Sequence, residues 1–245
     1  MVVAVALLAD QHRNGGLIAA LNMTPSSVAQ AHAIQDRVAA ALGEVTGGYK
    51  ANAPPGEPPV RGLIATDRIF ASPARLAASA FSRKGVEGEI AFRFLHDLPA
   101  RDAAYSRAEV VQAMVALAAV EVVSGRFAEP QARPPLEQLA DCLSNGALVL
   151  GPELANWKQL DLANLRVNAW VNGELVWQQT GGHPIGDPVG VAVALVNLLR
   201  DQNGVKAGQV VTTGSCTRIR YLQPGDRFEV EFEGLGSAEA LFVDA

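Results

Sequence analysis

Apolar and polar residues follow helical spacing near the start of the chain. In "SSVAQAHAIQDRVAAAL", residues 26–42, apolar positions recur at helical intervals, with Ser26 or Ser27 as the N-cap and Gly43 as the stop. The opening "MVVAVALLAD" is apolar, but it lacks a basic segment and is too short to span a membrane. We therefore expect a mainly helical flank over residues 1–48, with neither a signal peptide nor a membrane anchor.

Capping residues indicate two further helices. Ser106 and Glu109 form an S-x-x-E capping box ahead of an apolar run, so a helix should begin near Arg107. The end of that run, "AAVEVVSGRF", is β-branched and fits either the same helix or a strand that follows it. In "DPVGVAVALVNLLRDQNG", Asp187 is placed to cap a helix and Pro188 to occupy its first turn.

Strand patterns dominate after about residue 140. "GALVLG", "LRVNAWVNGELVWQQT", "GQVVTTGS" and "DRFEVEFEGLGSAEALFVD" alternate or are β-branched, and Asn172-Gly173 fits a type I′ hairpin. The Pro-rich "APPGEPPV", residues 53–60, is expected to form a loop because proline lacks a backbone donor and fixes φ. The chain is thus predicted to be one mixed α+β domain over residues 1–245, with its core over residues 49–245.

Composition narrows the class of protein. The 245 residues are 49% hydrophobic and 18% charged, which is typical of a globular protein with a sizeable core. Twenty basic and 25 acidic residues are scattered without a basic stripe, which argues against nucleic acid as the main partner. Cys142 and Cys216 match no metal or disulfide spacing, so we expect a cytoplasmic protein.

Two glutamates lie one residue apart in "VEGEIAF", residues 86–92, which otherwise has the pattern of a strand. Because side chains alternate between the faces of a strand, Glu87 and Glu89 should share one face, about 7 Å apart along the strand. That spacing fits the solvent-exposed face of an ordinary strand, and it also allows both carboxylates to bind one hard cation. Alternation alone does not decide between the two interpretations.

A third glutamate favours the cation. Glu121 interrupts "ALAAVEVV", a stretch with no other charge, and an ionised carboxylate among apolar side chains is costly unless it is paired or binds a metal. Pairing with Arg126 or exposure on an edge element would also explain it. Three carboxylates with no nearby His or Cys cluster fit Mg²⁺ or Mn²⁺.

Seven segments, spread over nearly the whole chain, resemble those of a known family in both their order and their spacing. They are "SVAQAHAIQDRV", "GGYKAN", "VEGEIAFRFLHDLP", "AVEVVSGRF", "LADCLSNGALVLG", "GDPVGVAVALVNLL" and "QPGDRFEVEFEGLG". In this order they resemble the 2-keto-4-pentenoate hydratase / 4-oxalocrotonate decarboxylase group of the fumarylacetoacetate hydrolase superfamily. The resemblance implies a β roll or barrel, and it implies that Glu87, Glu89 and Glu121 hold the metal. This chain departs from the group at Ser124-Gly125 and Cys142.

The resemblance also implies roles for other residues. Lys50 would be the active-site lysine, able to move a proton or hold the substrate carboxylate if burial lowered its pKa towards neutrality. Asp67 and Ser144 would line the substrate pocket. Arg126 could bind a second carboxylate of the substrate, although an ion pair with a nearby acidic residue would explain it equally well.

The expected activity is that of a lyase dependent on Mg²⁺ or Mn²⁺. Its first candidate reaction hydrates 2-keto-4-pentenoate to 4-hydroxy-2-oxopentanoate in the meta-cleavage breakdown of aromatic compounds. Decarboxylation of 2-oxo-3-hexenedioate, hydrolysis of an acylpyruvate C–C bond and a catalytically weak partner subunit are the alternatives. The expected partners are a small 2-oxo acid, further copies of the chain and a pathway enzyme, with no membrane.

Overall fold

The strands form two sheets, and most of the helical residues lie at the start of the chain or between strands. The structure, a computed structural model, describes residues 1–244. In chain order its helices and strands are α1 (Val2–Asn14), α2 (Val28–Leu42), β1 (Thr46–Asn52), β2 (Val60–Ala65), β3 (Ile69–Ala71), β4 (Ala74–Ala77), β5 (Gly85–Phe94), α3 (Arg107–Gln112), β6 (Met114–Val123), α4 (Pro135–Ala140), β7 (Asn145–Leu150), β8 (Arg166–Val171), β9 (Glu174–Thr180), α5 (Pro188–Leu199), β10 (Val210–Ser215), β11 (Arg220–Tyr221), β12 (Arg227–Phe232) and β13 (Gly236–Val243).

The two sheets enclose the main apolar core. The larger has the order β2-β1-β10-β5-β6-β7-β3, with β11 paired to β5, and the smaller has the order β4-β13-β12-β8-β9. Strands β12 and β13 pack against β6 of the larger sheet. Phe92 on β5 joins Phe228 on β12 and Phe242 on β13 in one fully buried cluster. Burial of such large side chains from both sheets is the main force holding them together.

The larger sheet is curled around a second, smaller core. Ile64 on β2, Leu148 on β7 and Val210 on β10 belong to one apolar cluster, and Ile69 on β3 packs against it. Strands β2 and β3 lie at opposite ends of the sheet order. Their side chains can meet only if the sheet curls round on itself, as twisted sheets of many strands do. This curl gives the sheet a concave inner face.

The predicted N-terminal helix is confirmed. Helix α2 begins after Ser27, whose side chain accepts a hydrogen bond from the Gln30 amide, and it ends at Gly43. Its buried residues form, with those of α1 and α4, a separate apolar cluster. Glu137 on α4 is buried and accepts hydrogen bonds from the Leu21 amide at 3.2 Å and the Thr24 hydroxyl at 2.7 Å. The segment between α1 and α2 is thereby fixed to the core.

The mixed α+β class, with a strand-rich core and helices at the N-terminus, is also confirmed. The division into a flank over residues 1–48 and a core over residues 49–245 stays a prediction, and its last position, Ala245, lies outside the described residues. Across residues 1–244, no helix is both long and apolar enough to cross a bilayer.

Several local predictions are confirmed as well. The ambiguous "AAVEVV" belongs to strand β6, since α3 ends at Gln112. Asn172 and Gly173 have φ values of 53° and 85°, as a type I′ hairpin between β8 and β9 requires. The Pro-rich segment links the antiparallel strands β1 and β2 as a loop. Asp187 caps α5, where its carboxylate accepts from the Gly190 amide.

Removing the capping box at the start of α3 should lower the stability of the fold. The Ser106 hydroxyl accepts from the Glu109 amide, and the Glu109 carboxylate accepts from the Ser106 amide at 2.7 Å. We expect Ser106→Ala to lower the free energy of unfolding by about 1 kcal/mol. Urea denaturation measures this change. Ser237→Ala is the control, because Ser237 is exposed and its side chain makes no hydrogen bond within residues 1–244; an equal loss in both variants would contradict a capping role.

Candidate metal centre

Three glutamates converge on the concave face of the larger sheet. Glu87 on β5 lies directly opposite Glu121 on β6, and Glu89 lies opposite Ala119. One carboxylate oxygen from each glutamate lies within 4.8 Å of one from each of the others. Glu89 and Glu121 are fully buried, whereas Glu87 is half-buried. The face that carries Glu87 and Glu89 is therefore covered, as an exposed strand face would not be.

Glu89 is held by one oxygen and leaves the other without a partner. Its Oε2 accepts hydrogen bonds from the Thr212 hydroxyl and from the Gly214 amide, the latter at 2.7 Å. Its Oε1 is buried and has no hydrogen-bond partner within residues 1–244. A buried carboxylate oxygen without a partner is costly unless a cation binds it.

Glu121 is fixed at both oxygens. The Asn145 side-chain amide donates to Oε1 at 2.8 Å, and the Lys50 ammonium lies 2.8 Å from Oε2. Burial raises the pKa of Glu121 to about 7, although Lys50 acts in the opposite direction. Burial also raises the pKa of Glu87. Burial thus acts against the ionised forms of Glu87 and Glu121.

Lys50 lies on β1, opposite Gly62 and Thr212 of the neighbouring strands. Its ammonium also donates to the Leu143 carbonyl at 3.4 Å. Burial lowers the pKa of Lys50, but the three carboxylates outweigh burial and raise this pKa above its ordinary value. Beside these carboxylates Lys50 is therefore an ammonium at neutral pH, and its role as the active-site lysine stays a prediction.

The donor set and its charge fit a divalent cation. When all three glutamates are ionised, the single charge of Lys50 leaves two negative charges without compensation. Carboxylate oxygens are the ligands preferred by Mg²⁺ and Mn²⁺, and no His or Cys belongs to this cluster. Glu89 Oε1 offers a ligand atom that no group within residues 1–244 uses. The residues present therefore fit Mg²⁺ or Mn²⁺, which would compensate the remaining charge.

A left-handed turn forms one wall of the site. Cys142, Leu143 and Ser144 have φ values of 52°, 55° and 62°, a conformation that costs residues with a side chain roughly 1–2 kcal/mol each. The turn directs the Leu143 carbonyl to Lys50 and leads into Asn145, which binds Glu121. A strained segment thus positions two groups at the carboxylates.

Arg126 supports this turn from behind. Its Nε lies 2.5 Å from Asp141 Oδ1, and its backbone amide donates to Asp141 Oδ2 at 2.8 Å. Its other guanidinium nitrogens donate to the carbonyls of Ser124, Asp141 and Asn145. The sequence is compatible with either substrate binding or an ion pair for Arg126. In the structure Arg126 forms an ion pair with Asp141. Four of its five side-chain N–H groups are used in these contacts, and a role of Arg126 in substrate binding stays a prediction.

The two other predicted pocket residues lie in different places. Ser144 is on the left-handed turn, directly before Asn145, whose side chain donates to Glu121. Asp67 is exposed on the turn Thr66–Arg68, which follows β2. In the β1–β2 pairing Thr46 lies opposite Ala65 and Lys50 opposite Gly62, which separates Lys50 from this turn by about 13 Å. The structure does not bring Asp67 to the cluster.

Three residues that contact the carboxylates were missed by the sequence analysis. Thr212 and Gly214 hold Glu89, and Asn145 holds Glu121. The polar end of the otherwise apolar β10, "TTGS", was the available signal for the first two. Asn145 opens β7 with a polar side chain that is buried, and nothing in its local pattern indicates which residue it contacts.

Comparisons with curated proteins found relatives of two named activities. The 4-oxalocrotonate decarboxylase of Pseudomonas putida is 34% identical over 125 residues, 51% of this chain and 47% of that protein. The match thus spans about half the length of that relative. 2-Keto-4-pentenoate hydratase 1 of Dechloromonas aromatica is 27% identical over 184 residues, 74% of this chain and 69% of that protein.

A solved structure has a similar fold. It is 4-oxalocrotonate decarboxylase from Pseudomonas putida G7, complexed with magnesium and adipate, with a TM-score of 0.83 and 24% identity over 98% of this chain and 97% of that chain. At that identity the likeness shows the fold alone.

A family model provides the remaining comparison. The model described as "Fumarylacetoacetate (FAA) hydrolase C-terminal" matches residues 45–243, which include all three glutamates and Lys50. The chain therefore belongs to the fumarylacetoacetate hydrolase family.

Proposed function

We propose that this protein is a lyase that acts on a 2-oxo-enoate of the 2-keto-4-pentenoate type and depends on Mg²⁺ or Mn²⁺. The observation that carries the proposal is the convergence of three carboxylates, those of Glu87, Glu89 and Glu121. One of their buried oxygens, Glu89 Oε1, has no hydrogen-bond partner within residues 1–244, and the Lys50 ammonium lies next to Glu121. The first candidate reaction is the addition of water. The relatives named as 2-keto-4-pentenoate hydratases support this choice.

The three glutamates would hold the metal and Lys50 would contact the substrate. When bound, the metal supplies Lewis-acid stabilisation of the negative charge that develops on the 2-oxo group. Lys50 is an ammonium, so it can donate a hydrogen bond to the substrate carboxylate or a proton to a carbon of the substrate. Its contacts with Glu121 and the Leu143 carbonyl fix the direction of the donor.

The buried position of the cluster strengthens these interactions. Glu89 and Glu121 are fully buried, and the apolar inner core of the sheet lies beside them. Charges attract more strongly where water is excluded. Glu87 is the half-buried member of the cluster, so we place the approach of substrate and water on its side.

Decarboxylation of 2-oxo-3-hexenedioate is the second candidate. The 34% identity to a 4-oxalocrotonate decarboxylase favours it, and the same carboxylates and ammonium would serve both reactions. For the assembled protein, we propose a cytoplasmic homo-oligomer that associates with a neighbouring pathway enzyme.

A UV assay with purified protein tests the proposed activity. Freshly generated 2-hydroxypenta-2,4-dienoate and 2-oxohex-3-enedioate are supplied with Mg²⁺, and loss of each chromophore is followed. We expect the first to be consumed, and we expect EDTA to abolish the reaction. We expect Glu89→Gln to lower kcat/KM by at least about a hundredfold, because the change removes a charged metal ligand.

The matched control for this assay is Glu153→Gln. Glu153 pairs with Arg93 at 2.8 Å near the far end of β5, away from the cluster, and is 45% exposed. Its replacement should leave kcat/KM within about twofold of the parent. If neither substrate is consumed, or if Glu89→Gln is as active as the parent, the proposed function is wrong.

The affinity for Mg²⁺ should rise with pH. The pKa of Glu121 in the metal-free site is raised to about 7, so below that pH a metal must displace its proton. We expect the association constant to increase by up to about tenfold per pH unit below pH 7 and to level off by about pH 8. Titration calorimetry in two buffers of different ionisation enthalpy measures the constant and the proton released. An affinity that is constant from pH 6 to 8 would contradict this linkage.

A further inference from the structure

A short loop packs against the strand that holds Glu89. Residues 181–187 form this loop, which connects β9 to α5. It lies so close to Gly214 on β10 that a Cβ there would be 2.8 Å from Pro184 Cγ. His183, in the same loop, is only 7% exposed. The loop and this end of β10 are therefore in direct contact.

Both ring nitrogens of His183 are engaged. Nδ1 accepts a hydrogen bond from the Ile185 amide at 3.3 Å, and Nε2 lies 2.9 Å from the Thr213 carbonyl oxygen. Because an amide donates and a carbonyl accepts, the ring carries its proton on Nε2 and is neutral. Burial lowers the pKa of His183, in agreement with a neutral ring. His183 is thus a donor of fixed direction towards β10.

The acceptor of this bond lies in an irregular part of the sheet. Between residues 212 and 215 of β10, two residues lie opposite the single residue Ile90 of β5. Thr213 and Gly214 therefore form a β-bulge, and Gly214 has a φ of 121°, which favours glycine. In this bulge the Gly214 amide donates to Glu89 Oε2 at 2.7 Å. The bulge thus turns a backbone donor towards one of the three carboxylates.

One peptide group of the bulge contacts both His183 and Glu89. The Thr213 carbonyl and the Gly214 amide belong to the same planar unit, and in a trans peptide they point in opposite directions. His183 donates to the carbonyl on one side, and the amide donates to Glu89 on the other. A donor that fixes the carbonyl therefore also fixes the direction of the amide.

We propose that His183 is a positioning residue for the metal centre. Its bond to the Thr213–Gly214 peptide group directs the Gly214 amide to Glu89 Oε2, which leaves Oε1 for the cation. The inference rests on the proposed function, which places the cation at the three glutamates. Without the His183 donor this peptide group is free to rotate, and Glu89 is held less firmly. Metal affinity falls when the groups that orient the ligands are removed.

Binding of Mn²⁺ alone, with no substrate present, tests the inference. Electron paramagnetic resonance measures the free Mn²⁺ and gives the Kd of the full chain. We expect His183→Leu to raise this Kd about tenfold, because the change removes the donor to the peptide group. His183→Gln places an amide nitrogen near the position of Nε2 and should keep the Kd within about threefold of the parent.

A third variant separates the two hydrogen bonds of the ring. In His183→Asn the side-chain oxygen can still accept from the Ile185 amide, but its nitrogen is one atom too short to replace Nε2 at the Thr213 carbonyl. We expect the Kd for Mn²⁺ to rise in this variant as it does in His183→Leu. The comparison of His183→Asn with His183→Gln decides the role of His183 even where His183→Leu does not fold.

Ser106→Ala is the control for a general loss of stability. Within residues 1–244 the Ser106 side chain bonds only to Glu109, at the start of α3. Its replacement lowers the stability of the fold and should leave the Kd for Mn²⁺ unchanged. If the Kd rises as much in Ser106→Ala as in the His183 variants, the metal centre responds to stability in general and the positioning role is wrong.

The possible failures are distinguishable. If the parent chain does not bind Mn²⁺, the metal centre and the proposed function are wrong, and this inference fails with them. If the parent binds Mn²⁺ and His183→Asn binds it as tightly, the metal centre stands and the role of His183 is wrong. A Kd in His183→Gln as high as that in His183→Asn also contradicts this role.

Discussion

The structure depends on an excess of negative charge held at the buried end of a curled sheet. Glu87 and Glu121 are directly paired across β5 and β6, Glu89 joins them, and Lys50 supplies the only ammonium among the contacts described. Like charges so close in a region without water repel strongly and require compensation. The sheet can hold them because both of its faces carry large buried apolar clusters, and burial of those side chains offsets the cost. A divalent cation is the compensation that these oxygens fit.

Support for the carboxylates comes from segments that are themselves costly. The left-handed run from Cys142 to Ser144 persists because its surroundings define it closely. Arg126 pairs with the Asp141 carboxylate and donates to the carbonyls of Asp141 and Asn145 on either side of the run. Gly62 and Gly125 leave room where a side chain would collide. The same run directs the Leu143 carbonyl and leads into Asn145. Strain in the turn therefore serves to fix Lys50 and Glu121, as precise positioning at a reactive site requires.

Local patterns predicted part of this arrangement and could not predict the rest. Period 2 placed Glu87 and Glu89 on one face because alternation is a property of a single strand. Glu121 was ambiguous because its segment fits a helix or a strand, and only the pairing with β5 decided it. The contacts of Thr212, Gly214 and Asn145 depend on register between strands far apart in sequence, which alternation does not contain. The turn that carries Asp67 follows β2 near the Thr46 end of the β1 pairing, away from Lys50, and the place of Asp67 in a substrate pocket stays a prediction.

This chain departs from the group that it resembles at Ser124, Gly125 and Cys142. These positions lie around the carboxylate cluster, and the three glutamates themselves are retained. The Ser124 hydroxyl accepts a hydrogen bond from the Arg83 backbone amide, and Gly125 lies against Ser144. Cys142 belongs to the turn that carries the Leu143 carbonyl. Substitutions at such positions alter the surroundings of the cluster and leave the oxygen ligands in place. Under the proposed function, hydration and decarboxylation would use the same carboxylates and ammonium, so the residues around the cluster, and not its ligands, would decide between the two reactions.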